Sequence, residues 1–145
     1  MATTTATITL ASTDLFDDSL SISNTSTLYK AGTTIGLDQT TGVAKAYLTA
    51  TTVVDILPQL IDSSIAFENK SSWVYICNKS EDETEYITVK ICENVIGKLY
   101  AGDFLWMPWS MRESVNTGTH NNHHGDITVT PSVATGMWLE WTCIN

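Results

Sequence analysis

The chain reads as all-β: a single β-sandwich preceded by an extended, threonine-rich N-terminal arm. Three observations predict this. Charged residues make up only 16% of the chain against the usual quarter, and threonine and serine take their place; the branched Cβ of threonine suits a pleated strand better than a helix. Short apolar runs recur with period two between Gly, Pro, Asn and Asp turn signals. Large side chains are also segregated, because all five tryptophans and all three cysteines lie beyond the composition change near residues 45–52.

Residues 1–45 form the predicted arm. Ala6, Ile8 and Leu10 alternate with Thr5, Thr7 and Thr9, which gives one strand with a single greasy face. Leu20 and Ile22 repeat the pattern, and Lys30-Ala31-Gly32, Ile35-Gly36 and Thr41-Gly42 mark turns in the remainder of the arm. So few apolar side chains offset little of the entropy lost on ordering. The arm is therefore expected to gain its order by lying on other molecules, with some of it folded back as edge strands; fully stretched it would reach on the order of 150 Å. A loosely packed first sheet of the same domain is the alternative.

Residues 46–145 form the predicted sandwich. A chain of 145 residues buries roughly 68–70% of its unfolded surface, enough for a core without metal or disulfide staples. Thr52–Leu57 fits a short helix or a strand, closed by Pro58. Ser72–Cys77 is apolar on both faces, as in a central strand or one whose second face meets a partner. Glu85–Cys92 alternates with Ile87, Val89 and Ile91 inward, and with Ser72–Cys77 it is expected to make a hairpin across the charged turn 78–84. Residues 94–100 continue the meander. Pro108 cannot donate to a ladder, so Phe104–Trp109 ends there or lies at an edge. Residues 114–126 read as a polar loop, and 126–130 and 137–144 as closing strands. A jelly roll is among the architectures this spacing allows.

Sixteen acidic against seven basic side chains give a net charge of −9, which repels nucleic-acid phosphates and anionic lipid, so neither is an expected partner. The opening Met1–Thr5 lacks the basic start and apolar stretch of a secretory signal, and no run is long enough to span a bilayer. Synthesis and folding in a cytoplasm are expected. Three cysteines leave at least one thiol free; Cys77 and Cys143 fall on positions predicted to face the core, and Cys92 is the accessible candidate.

Catalytic signatures are missing. There is no nucleophile elbow, no dinucleotide-binding turn, no phosphate loop and no C-x-x-C pair, and no enzyme or cofactor is expected. One cluster carries metal-binding residue types: His120, His123, His124 and Asp126, the histidines and a carboxylate gathered in seven residues. It lacks the fixed helical spacing of a metalloprotease motif, and a polar loop has the same composition. Glu81–Glu85 reads as a solvated charged turn because it lacks the ligand alternation of a calcium loop.

Five tryptophans cannot all point inward, since Trp138 is out of phase with Met137, Leu139 and Trp141. Trp109 and Trp141 are assigned to the core. Trp106 and Trp138 are the candidate surface contacts, joining Ile8, Leu10, Leu20 and Ile22 of the arm as interface residues.

The opening Met1-Ala2-Thr3-Thr4-Thr5-Ala6-Thr7-Ile8-Thr9-Leu10-Ala11-Ser12-Thr13-Asp14-Leu15, the stretch Lys30–Gly42, and Leu99-Tyr100-Ala101-Gly102-Asp103-Phe104 with Pro108-Trp109-Ser110 resemble small virion-associated proteins of tailed phages infecting marine cyanobacteria. The resemblance covers the first 45 residues and segment 97–110 best. It implies a structural part of the particle, with capsid decoration or cement as the leading role and the major capsid protein or other virion subunits as partners. A homo-oligomer, a trimer among the options, would sit in the virion after synthesis in the host cytoplasm. A tail, neck or fibre component and a carbohydrate- or receptor-binding module are the alternatives.

Overall fold

The computed structural model describes residues 3–14, 19–30, 33–37, 40–57, 71–91, 94–110 and 127–144. All regular structure among them is β. Strands β1 (Thr4–Ser12) and β2 (Leu20–Leu28) pair flush and antiparallel, from Thr4 opposite Leu28 to Ser12 opposite Leu20. Eight more strands complete the chain: β3 (Ala44–Leu48), β4 (Val54–Leu57), β5 (Ser71–Asn78), β6 (Tyr86–Ile91), β7 (Asn94–Tyr100), β8 (Phe104–Ser110), β9 (Ile127–Pro131) and β10 (Met137–Ile144).

Their pairing is nested. β6 pairs with β7, β5 with β8, β4 with β9 and β3 with β10, all antiparallel, as if one long hairpin had been wound around itself. Pairing of β10 with β5 and of β9 with β6 joins these into two four-stranded sheets, β3-β10-β5-β8 and β4-β9-β6-β7. That strand order is the jelly roll, and the β-sandwich predicted from the sequence is present.

Alternation places the core between the sheets. Leu48, Val74, Ile76, Met137, Leu139 and Cys143 enter from the first sheet and Ile56, Ile87, Val89, Ile127 and Val129 from the second, all buried. Trp141 packs against this cluster, as its phase predicts; the side chain of Trp109 lies outside the described residues. Thr52–Leu57 resolves as strand β4, and Pro108 does lie in an edge strand, β8, where its missing N–H costs no ladder bond.

The expected hairpin between Ser72–Cys77 and Glu85–Cys92 is not formed. β5 and β6 lie in opposite sheets, and residues 79–85 cross between them. A buried face on each strand demands a partner across the core as readily as one alongside, so alternation could not distinguish the two. Asn78 fixes the crossing: fully buried, its Nδ2 donates to the carbonyls of Glu85 and Leu99 at 3.4 and 3.0 Å, and its Oδ1 accepts from the Ser80 amide at 2.9 Å. Cys77 is also corrected: it is buried, but strand alternation puts it on the outward face with Tyr75, whereas Cys143 is in the core. Cys92 lies outside the described residues.

The segment after β2 returns to the first sheet. Tyr29 bridges Gly36, Leu37 is buried, Thr40 bridges Ile144, and the Thr41 amide donates to the Cys143 carbonyl at 3.0 Å. Gly42, at φ 74°, then turns the chain into β3, which takes its place in the sandwich from Ala44.

Candidate protein-binding surfaces

Two features of the surface stand apart from ordinary solvated strands, and the first is the β1–β2 hairpin. Its base is tied down: Leu28 is buried and Thr4 Oγ1 donates to the Leu37 carbonyl at 3.0 Å. Beyond the base almost every residue is exposed. Register puts Leu10 directly opposite Ile22 and Leu20 opposite Ser12, on the same face as Ile8. Ile8, Leu10 and Ile22 are 57%, 53% and 52% exposed and Leu20 is half-buried, so the four arm residues singled out in the sequence form one apolar stripe that no described residue covers. The reverse face is threonine, with Thr7 and Thr25 hydroxyls bonded across the pair at 2.9 Å.

The outward face of the first sheet is the second feature. Trp73 stacks on Trp106 with centroids 5.2 Å apart, Tyr75 tilts against Phe104 at 6.2 Å, and Tyr47 tilts against Trp138 at 4.9 Å. Hydrogen bonding to Cys77, then burial, then the charges of Cys77 and Glu140, push the Tyr75 hydroxyl up to about 12, so it is neutral at physiological pH. Between this face and β1 runs a groove of about 410 Å³, lined by Thr4–Thr9 on one side and by Tyr75, Phe104, Trp106 and Ile144 on the other. β1 has a neighbour on one edge only among the described residues, and six consecutive residues of it line the groove.

No protein-family model, curated protein or solved structure matches this chain.

Trp106 and Trp138 are not brought together. Trp106 is opposite Tyr75, Tyr75 is opposite Thr142, and Trp138 lies four residues further along β10, about 13 Å away along the strand. Trp106 is half-buried in the groove floor, while Trp138 is 50% exposed and belongs to a separate depression with Tyr47 and the 80–85 carboxylates. Sequence reasoning missed Tyr47, Tyr75 and Phe104 as surface aromatics. Tyr75 shares the phase of Trp73, so the two-faced apolar character of β5 contained the signal. Tyr47 and Phe104 had none, because their exposure depends on which strands flank them.

The candidate metal ligands His120, His123, His124 and Asp126 lie outside the described residues. Among the described residues no three His, Cys, Asp or Glu side chains are placed to hold a metal ion, and no helix is long and apolar enough to cross a membrane.

Proposed function

We propose that this chain is a structural subunit of a virus particle, a decoration or cement protein of a phage head, which holds neighbouring subunits through its β1–β2 hairpin. The observation that carries this reading is the Ile8, Leu10 and Ile22 stripe, left uncovered by the described residues, on a hairpin tied at its base to Leu37. Each of these half-exposed side chains keeps roughly 1 kcal/mol of burial in reserve for a partner. The free edge of β1 adds main-chain hydrogen bonding: an extended segment of the major capsid protein or another virion subunit can pair with it in the groove and rest side chains on Tyr75, Phe104 and Trp106. The resemblance of the arm sequence to virion-associated proteins supports the same reading, and the jelly roll is compatible with it, though that fold also serves lectins and cupins. A net charge of −9 directs the contact toward protein and away from packaged nucleic acid.

Leu10→Ser with Ile22→Ser tests it. The expected result is about thirtyfold weaker occupancy of purified particles in a sedimentation assay, with thermal unfolding of the sandwich unchanged, because the stripe supplies roughly 2 kcal/mol to the contact. Undiminished occupancy would remove the hairpin from the interface. Copy number per particle separates head from tail, since decoration implies hundreds of copies and a tail, neck or fibre part a handful.

A further inference from the structure

We propose that the depression formed by β3, β10 and the crossing segment 79–85 is a receptor for one arginine side chain displayed by a partner protein. It lies apart from the hairpin groove and does not rest on the virion reading.

The pocket begins with an aromatic pair. Tyr47 and Trp138 are directly opposite in the β3·β10 register, both half-exposed, with ring planes 47° apart. With centroids 4.9 Å apart the two rings rest against each other, so what they offer a flat group is their exposed outer surface. Tyr47 is held in place, since its hydroxyl donates to the Thr135 carbonyl at 3.4 Å and its ring lies over Gly136. A Cβ at Gly136 would fall 2.0 Å from the Tyr47 hydroxyl oxygen, and φ there is 111°, so glycine is what allows the ring this close to the backbone.

The crossing segment supplies the opposite wall with Ser80, Glu81, Asp82 and Glu85, enclosing about 330 Å³, enough for a side chain and its first waters. These carboxylates are pre-placed. The Lys79 amide donates to the Trp138 carbonyl at 2.8 Å, locking the segment to β10, and Glu85 donates its amide to the Asp82 carbonyl at 3.0 Å. The Ser80 hydroxyl donates to the Glu85 carboxylate, and the amide and hydroxyl of Thr84 donate to Asp82 at 2.9 and 2.7 Å. Lys45, the cation two residues before Tyr47, pairs with Glu140 at 3.2 Å.

Ring faces with negative quadrupoles beside carboxylates, on a chain of net charge −9, select a cation. Guanidinium suits the site better than ammonium because it is planar, stacks on an exposed ring face and presents a fork of donors to the acidic wall, while a lysine head is a compact, strongly hydrated charge.

The test uses the full chain and an acetylated, amidated hexapeptide with a single arginine, alongside the same peptide with citrulline or lysine in that place. Binding is followed at the indole N–H resonance of Trp138, and by calorimetry for the variant that lacks this indole. The arginine peptide is expected to bind about tenfold more tightly than the citrulline peptide and severalfold more tightly than the lysine peptide, with affinity falling as salt rises. Trp138→Ala, a surface change, and the pair Glu81→Gln with Glu85→Gln are each expected to weaken it about tenfold, and Gly136→Val to do so by displacing Tyr47. Equal binding of arginine and citrulline peptides, or no shift up to about 10 mM peptide, would overturn the proposal. So would a neutral oligosaccharide that moves the Trp138 resonance and still does so after the carboxylates are neutralised, which would make the pocket a saccharide site.

Discussion

Truncating Leu139 to alanine is expected to lower the free energy of unfolding by about 3 kcal/mol, within the range of about 2–5 for a buried leucine. Leu139 is fully buried in β10, an interior strand of its sheet, between Ala46 of β3 and Asn78 of β5. Neither neighbour can fill the space: alanine has no reach, and Asn78 is committed to three hydrogen bonds. The cavity therefore persists and its lining loses contact on one side. In urea titration the midpoint should fall with the slope unchanged. A loss below about 1 kcal/mol would mean that the two sheets do not pack face to face across Leu139.

Asn78→Leu is expected to cost a comparable amount, about 3 kcal/mol, for a different reason. Leucine matches the volume but removes every side-chain hydrogen bond, leaving the Glu85 and Leu99 carbonyls and the Ser80 amide short of partners around a fully buried site. The main chain of Asn78 compounds the effect, since it is bonded to Asp103 and Gly102 of the β7–β8 turn, so one residue ties two connections to both sheets. Asn78→Asp should not rescue stability: a carboxylate can accept from Ser80 but cannot donate to either carbonyl, and it buries a charge. Faster hydrogen exchange at the Ser80 amide in Asn78→Leu, compared with wild type, is the site-specific check. Slow exchange retained there would show that the crossing is held by something other than this carboxamide.

The periodicity of the chain made the strands legible. The alternation of Ile87, Val89 and Ile91, the two-faced run at Trp73–Cys77 and the out-of-phase Trp138 each correspond to what the structure shows, and Pro108 marked an edge. What periodicity could not reveal was which strand sits beside which. The crossing at 79–85 looks like a hairpin turn in sequence because its charge and turn residues serve either purpose, and the deciding group, Asn78, is a single polar residue whose burial is invisible without the second sheet. The same holds for the surface. Ile8, Leu10 and Ile22 could be read as an apolar face from spacing alone, whereas the pairing of Tyr47 with Trp138 depends on the β3·β10 register, a contact between distant parts of the chain.

The nested pairing also orders events during folding. Thr40 and Thr142, whose hydroxyls meet at 3.2 Å, are 102 residues apart in the chain, while β6 and β7 are neighbours in sequence. Loop closure entropy favours starting at that innermost pair and zipping outward, with β3 and β10 last. A nascent polypeptide lacks the one strand that bridges β3 to β5 until β10 has been made, so the first sheet is completed only after every strand of the second is in place. Until then Val74, Ile76 and Leu48 have no closed interior to enter, and this interval is when the subunit is most exposed to chaperones and to aggregation.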